Sequence, residues 1–225
     1  MGELTIDGPN TEFVCVLSHS AKTDLPIRWS RGDNMATAPS RDLKKPFLSD
    51  IQEIRRRARQ HIEQGAVIEN YKADLETSIR VLNEALATEI VCVLRYKRHH
   101  YMASGIHAQS VAAEFLEHAK EEQGHADRIA ERIIQLNGAP NLSPEGLLMR
   151  SHSEYVEGET LIDMIKEDLV AERIAIESYS EIIRYFGDKD PTSRRLLEEI
   201  LANEEEHAED MKTLIETLGE GARSA

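Results

Sequence analysis

Apolar residues recur at steps of three and four along four long stretches of the chain, which is the spacing of amphipathic helices. Residues 71–104 carry Leu75, Ile79, Leu82, Leu86, Val93 and Tyr96 on one face, and Gly105 ends the run. Residues 107–137 carry Phe115, Ile129 and Leu136, with Asn137-Gly138 as the stop. Residues 159–186 carry Ile162, Ile165, Leu169, Ile176, Tyr179 and Ile183. Residues 191–218 carry Leu196, Leu197, Ile200, Met211 and Leu214, with Asp190 as cap, Pro191 at the first helical position, and Gly219 and Gly221 closing the helix. The segment 138–157 is too long for a tight turn and reads as a crossover between two helical hairpins, its Leu147-Leu148-Met149 patch packing over them. The fold class predicted is all-α: an antiparallel four-helix bundle over residues 71–218, with a long crossover between its second and third helices and a tail at 219–225.

Ahead of the bundle the pattern changes twice. Residues 35–70 make a polar arm and a short extra helix, capped by Ser49 or Asp50 and running to about Gly65. This region has seven Lys or Arg against five Asp or Glu and includes Arg55, Arg56, Arg57 and Arg59. It reads as a solvated helix, or else as a phosphate-contacting arm. Residues 1–34 lack helical periodicity and read as a disordered tail or as an untranslated leader ahead of an internal start at Met35, since Arg31-Gly32-Asp33-Asn34 can be encoded by a purine-rich run.

Within the apolar stripes stand residues that do not belong in a core. Glu-x-x-His occurs twice, as Glu122 with His125 and as Glu204 with His207. A further in-stripe glutamate precedes each, Glu89 by 33 residues and Glu172 by 32. Residues three apart share a helix face, so each pair presents a carboxylate and an imidazole together. A span of about 33 residues lets a helix run out, turn and return to the same depth. Each upstream glutamate is followed seven residues later by a tyrosine, Tyr96 and Tyr179, which makes an internal two-fold echo. Four buried carboxylates repel one another unless protonated or neutralised. Two divalent ions balance four Glu, with two neutral His completing the shell. Mixed carboxylate and imidazole donors suit Fe or Mn, and can hold Zn.

Composition narrows the class further. The net charge of −14 opposes nucleic-acid binding through the whole surface and suits attraction of cations. Two cysteines, Cys15 and Cys92, are no disulfide framework and fit a reducing cytoplasm; Cys92 reads as a small core residue. No apolar run reaches membrane-spanning length, and no secretion signal is visible. His99, His100 and His107 read as surface or end-capping residues, or alternatively as an iron-uptake or second metal site; His118 and His152 read as surface or structural, and Tyr101 and Tyr179 as packing.

The stretches LNEALATEIVCVLRY, EEQGHADRIAERIIQLNGAPN, DLVAERIAIESY and ILANEEEHAED resemble the bacterioferritin branch of the ferritin-like superfamily, over residues 71–218. The resemblance implies two Fe ions held by Glu89, Glu122, His125, Glu172, Glu204 and His207, with Glu122 and Glu204 bridging and Tyr96 beside the centre. It implies oxidation of Fe²⁺ by O₂ or H₂O₂ and ferric storage inside a cage. Bacterioferritins bind haem through a methionine directly after the glutamate of the second helix; Gln123 stands there, so no haem is expected. The longer crossover and the absence of a fifth helix look more like Dps-like proteins with a bacterioferritin-type centre. These features lead to a homo-oligomer, a dodecamer first and a dimer second.

Two other functions compete with ferroxidase. A di-metal peroxidase or catalase would turn over peroxide without storing iron; the paired-cysteine domain of rubrerythrins is missing. A Dps-like protector would bind DNA through the basic arm.

Overall fold

The computed structural model describes residues 50–106 and 108–223, with side chains as far as Leu218. The tail or leader at 1–34, Cys15, Met35, residues 35–49 of the arm and His107 lie outside the described residues. No strand occurs among the described residues, and no helix among them is long and apolar enough to cross a membrane.

Helix α1, Ile51–Arg57, starts where the Asp50 side chain accepts from the Gln52 amide at 2.7 Å. It stops well short of Gly65. His61 sits in the left-handed region at φ 51°, and only a three-residue 3₁₀ turn, Ile62–Gln64, follows. With none of its residues buried, this helix has no packing to lengthen it.

The bundle has four long helices. Helix α2 spans Leu75–Met102, beginning four residues later than the periodicity predicts because Asp74 caps it, accepting from the Thr77 amide. Helix α3 spans Ala108–Gln135. It ends as Asn137 turns left-handed at φ 62° and the Gly138 amide reaches back to the Ile133 carbonyl at 2.9 Å. A Cβ on Gly138 would lie 2.8 Å from Ile79 and 2.9 Å from Ile133, so this turn packs against α2 only without a side chain.

The crossover contains one short helix, α4, at Leu147–Arg150. The expected packing of its apolar patch is not seen: Leu148 and Met149 are exposed, because a single turn can direct only one side inward and Leu147 takes that place. Helix α5, Leu161–Phe186, opens with a capping box between Thr160 and Asp163. Helix α6 starts at Pro191, with Asp190 accepting from the Ser193 amide at 2.9 Å. It continues through Gly219 and Gly221 to Arg223 rather than ending at 218, since a glycine costs a helix only about 1 kcal/mol.

Helices α2 and α3 form one hairpin and α5 and α6 the other, and α2 packs on α5 as α3 packs on α6. The core is divided. One apolar cluster contains Leu82, Leu86, Ile129, Ile133, Tyr179, Phe186 and Ile200; the other contains Tyr96, Phe115, Ile165 and Met211. The in-stripe glutamates and histidines fall on the same four helices between these residues in sequence.

Two buried polar networks brace the bundle. Arg95 of α2 donates to Asp168 of α5 at 2.9 Å, to Ser153 Oγ at 3.1 Å and to the Glu154 carbonyl at 2.9 Å, tying the crossover to both hairpins. Asp168 also bonds His99 Nδ1 at 2.9 Å. His99 is therefore fully buried, against the expectation of a surface residue; His100 caps onto the Ala112 carbonyl instead. Near the far end, Arg132 of α3 meets Asp190 at 2.9 and 3.0 Å, and Asp190 also accepts from Tyr71. Tyr101 is exposed, so it does not pack as expected.

Candidate metal centre

Each of the four long helices contributes a glutamate at the same depth: Glu89 from α2, Glu122 from α3, Glu172 from α5 and Glu204 from α6. None is more than 1 % exposed. Helix periodicity sets His125 beside Glu122 and His207 beside Glu204. His125 Nδ1 lies 3.0 Å from Glu204, 3.3 Å from Glu89 and 3.6 Å from Glu122. His207 Nδ1 lies 3.3 Å from Glu122, 3.6 Å from Glu204 and 3.9 Å from Glu172. Each imidazole therefore faces three carboxylates, two of them its own hairpin's and the opposite hairpin's Glu-x-x-His glutamate.

The donor atoms sort into two quartets. Glu89, Glu122, His125 and Glu204 form one, and Glu122, Glu172, Glu204 and His207 the other, with the atoms of each lying within 4.8 Å of one another. Glu122 and Glu204 belong to both. All six predicted ligands come together in this way.

Tyrosines close the cluster crosswise. Tyr96 of α2 donates to Glu172 of α5, while Tyr179 of α5 donates to Glu89 of α2. The two-fold echo is thus an exchange between hairpins, and Tyr179 is a polar partner of the centre as well as a packing residue.

The hydrogen-bond tally shows what is missing from the shell. Both oxygens of Glu122, both of Glu204, Oε2 of Glu172 and Nδ1 of His207 are buried without a hydrogen-bond partner. Short nitrogen–oxygen distances do not remove the deficit, because one in-plane N–H can point at only one oxygen. Buried acceptors left unpaired in this number are costly, and a divalent cation is the partner that satisfies several at once. A mixed carboxylate and imidazole set fits Fe or Mn, and accommodates Zn.

The proton balance agrees with this. Burial, then the charge of Glu122, pushes Glu89 up to about 8. Burial, then Glu122 and Glu204, holds Glu172 well above the carboxylate range. Burial, then the charge of Glu204, pushes Glu122 up as well, but the proximity of Glu89 and both imidazoles brings it below its usual value. Burial alone would lower both histidines; contacts with Glu122 and Glu204 raise them instead. The metal-free cluster thus keeps protons on the imidazoles and on the two unshared carboxylates, and cations would displace them.

Two neighbours were missed by sequence reasoning. His118, read as surface or structural, is 2 % exposed and its ring stacks on His207 at 4.0 Å between centroids. Glu121 accepts from His207 Nε2 at 2.7 Å. Their signal was spacing: His118 precedes Glu122 by one helical turn. Cys92 is a buried free thiol, pushed up by burial, as its core reading requires.

The model of the ferritin-like domain matches residues 79–220. The chain belongs to the ferritin-like family. It is 33 % identical over 151 residues to the bacterioferritin of Mycobacterium bovis, covering 65 % of this chain and 91 % of that one. The bacterioferritin of Desulfovibrio desulfuricans is 30 % identical over 146 residues, covering 63 % and 78 %. Among solved structures, the dodecameric thioferritin of Bacteroides fragilis, a bacterioferritin-related protein, superposes with TM-score 0.66 and 32 % identity, covering 68 % of this chain and 92 % of that one. The diiron-site structure of the Desulfovibrio desulfuricans bacterioferritin superposes with TM-score 0.58 and 27 % identity, covering 65 % and 82 %. Dps from Thermosynechococcus elongatus, at TM-score 0.60 and 22 % identity over 62 % and 90 % of the two chains, shares the fold. In this ferritin-like chain Gln123 is exposed and bonds Asp127 at 2.9 Å.

Proposed function

We propose that this protein is a ferroxidase that takes up Fe²⁺ at an intrasubunit two-metal centre, oxidises it with O₂ or H₂O₂ and passes Fe³⁺ on for storage. The observation that carries this reading is the pair of donor quartets sharing Glu122 and Glu204. Glu89 and His125 would complete one ion's shell, and Glu172 and His207 the other's. When bound, two adjacent ferrous ions supply two electrons to one oxidant molecule. The protein's part is to hold them adjacent, to balance their four positive charges with four carboxylates, and to keep the donors oriented. Tyr96 and Tyr179 fix the unshared carboxylates by hydrogen bonds to one oxygen each, leaving the other free to ligate. Mn or Zn fits the same donors, so the ion itself is part of the proposal.

Assembly enters by likeness. The thioferritin of Bacteroides fragilis is dodecameric, and the same closed small cage is proposed here, with Fe³⁺ stored inside it. With Gln123 at the position expected of a haem ligand, the centre is proposed to work without haem, in the cytoplasm.

Iron loading followed by size-exclusion chromatography tests the whole reading. A cage that accumulates many irons per subunit is the expected result. Two irons per subunit with sustained peroxide turnover would replace storage with a peroxidase function. Failure to oxidise Fe²⁺ at all would reject both.

A further inference from the structure

The two halves of the bundle repeat each other at the centre but not around it. Four residues before Glu122 stands His118; four before Glu204 stands Ile200, fully buried in the apolar core. Eight before Glu122 is Glu114, and eight before Glu204 is Leu196. Directly before the two shared glutamates stand Glu121 and Asn203. Three after His207 is Asp210, and three after His125 is Arg128, which is already paired with Glu199 at 2.5 Å. On one side of the centre every equivalent position is a metal-donor type. On the other every one is apolar, amide or cationic.

The donors on the first side meet. His118 Nε2 lies 3.5 Å from Glu114 Oε1 and 3.5 Å from Asp210 Oδ2. That is long for a hydrogen bond, but ligands about 2.0–2.2 Å from a common ion stand about 3.0–3.5 Å apart. The tautomer sharpens the point. Tyr96 spends its only proton on Glu172, so where His118 Nδ1 meets the Tyr96 oxygen, at 3.2 Å, the imidazole must donate. With Nδ1 committed to Tyr96, Nε2 is the atom that faces the two carboxylates, and the donor atoms of His118, Glu114 and Asp210 lie within 4.8 Å of one another.

We propose that Glu114, His118 and Asp210 form a third divalent-cation site, which stages Fe²⁺ on its way to the buried pair. Its carboxylates are partly exposed, at 36 and 44 %, while His118 is buried, so the site opens to water on one side and to the bundle on the other. Next inward, the His118 ring stacks on His207 at 4.0 Å between centroids, and His207 is itself a member of the buried quartet. The outer group thus adjoins the buried pair through these two rings. The equivalent positions in the other half, Leu196, Ile200 and Arg128, carry no such donors. The proposal rests on the two-metal reading above for its destination, but not for its existence as a binding site.

Zn²⁺, which has no redox chemistry, is the probe. The full-length assembled protein would be titrated by calorimetry and its tightly bound zinc counted after desalting, alongside His118→Ala, Asp210→Asn and Glu204→Ala. Three zinc ions per subunit are expected for the unaltered chain and two for His118→Ala and Asp210→Asn. Glu204→Ala should lose the buried ions and keep the outer one. In Asp210→Asn, whose side chain is partly exposed and leaves the core intact, the Fe²⁺ concentration for half-maximal oxidation rate should rise about tenfold. If both outer variants bind as much zinc as the unaltered chain, the third site does not exist. If instead Glu204→Ala loses nothing while Asp210→Asn loses one, the outer site stands and the two-metal reading falls.

Discussion

Glu121 accepts the Nε2 proton of His207 at 2.7 Å, and this single bond decides which imidazole nitrogen faces the centre. With Nε2 held outward, Nδ1 is the nitrogen turned towards Glu122 and Glu204, where a bound cation would displace its proton. Outer carboxylates of this kind are worth roughly 10–100-fold in metal affinity. Glu121→Ala should therefore weaken Zn²⁺ binding at the quartet containing Glu172 by about that factor. Glu121→Gln, whose amide oxygen still accepts from Nε2, should restore most of it. Equal affinities for the Ala and Gln variants would show that the proton's position is set by something else.

Sharing predicts unequal losses. Glu89 belongs to one quartet and Glu204 to both. Glu89→Ala should retain one buried ion per subunit and Glu204→Ala none, measured by metal analysis of zinc-loaded protein. Rapid Fe²⁺ oxidation should vanish in both, as in His207→Ala, because two adjacent ions are needed. Unaltered stopped-flow rates in Glu89→Ala would remove it from the centre.

The chelated protein should lose stability as pH rises. Glu89 is raised from 4.5 to about 8 in the folded chain. A raised pKa gives stability that is complete below the unfolded value and is lost on the way up through the folded one. Between pH 5 and 8 the Glu89 contribution therefore declines, and the raised imidazoles add to the same slope above about 6.5. Thermal melts in chelator should show a falling Tm over that range, flattened in Glu89→Gln. Added Zn²⁺ should stabilise more at pH 8 than at pH 5, since binding displaces protons. A Tm in chelator that climbs from pH 5 to 8 contradicts this.

Arg95 and Asp168 are both buried, and Arg95 also anchors Ser153 and the Glu154 carbonyl. Arg95→Ala leaves Asp168 with its charge and only His99 as a partner. The expected cost is about 3–5 kcal/mol, read as a lower urea midpoint. Amide exchange should quicken selectively at 151–157, where the crossover loses its tether; a uniform change across all helices would argue that the pair merely stabilises the bundle.

The four long helices, the extra helix and the long crossover were legible as pattern, because burial against a common core imposes a period of 3.6 on whatever sequence fills a helix. Ends were less legible. Asp74 displaced the start of α2, and Gly219 failed to stop α6, since caps act through single bonds that competing residues can supply. The sequence left His118 open between surface and structural and put His99 at the surface or a helix end, and one cause kept both from being placed in the core. A histidine's burial depends on a partner from another helix, Asp168 for one and Tyr96 with His207 for the other, and no spacing along one helix reveals it.

What the sequence determined by itself was a set of phases. Glu122 with His125, and Glu204 with His207, share faces because three residues nearly complete a turn, and Glu89 and Glu172 return to the same depth because helices rise at a fixed rate. What only the tertiary structure decided was the pairing between helices. It set Tyr96 on Glu172 and Tyr179 on Glu89, gave Glu121 to His207, and broke the internal two-fold by placing His118, Glu114 and Asp210 together on one side. Those relations depend on how two hairpins face each other, a distance of a few ångströms across the bundle that is encoded in packing and not in the order of residues along any one strand of it.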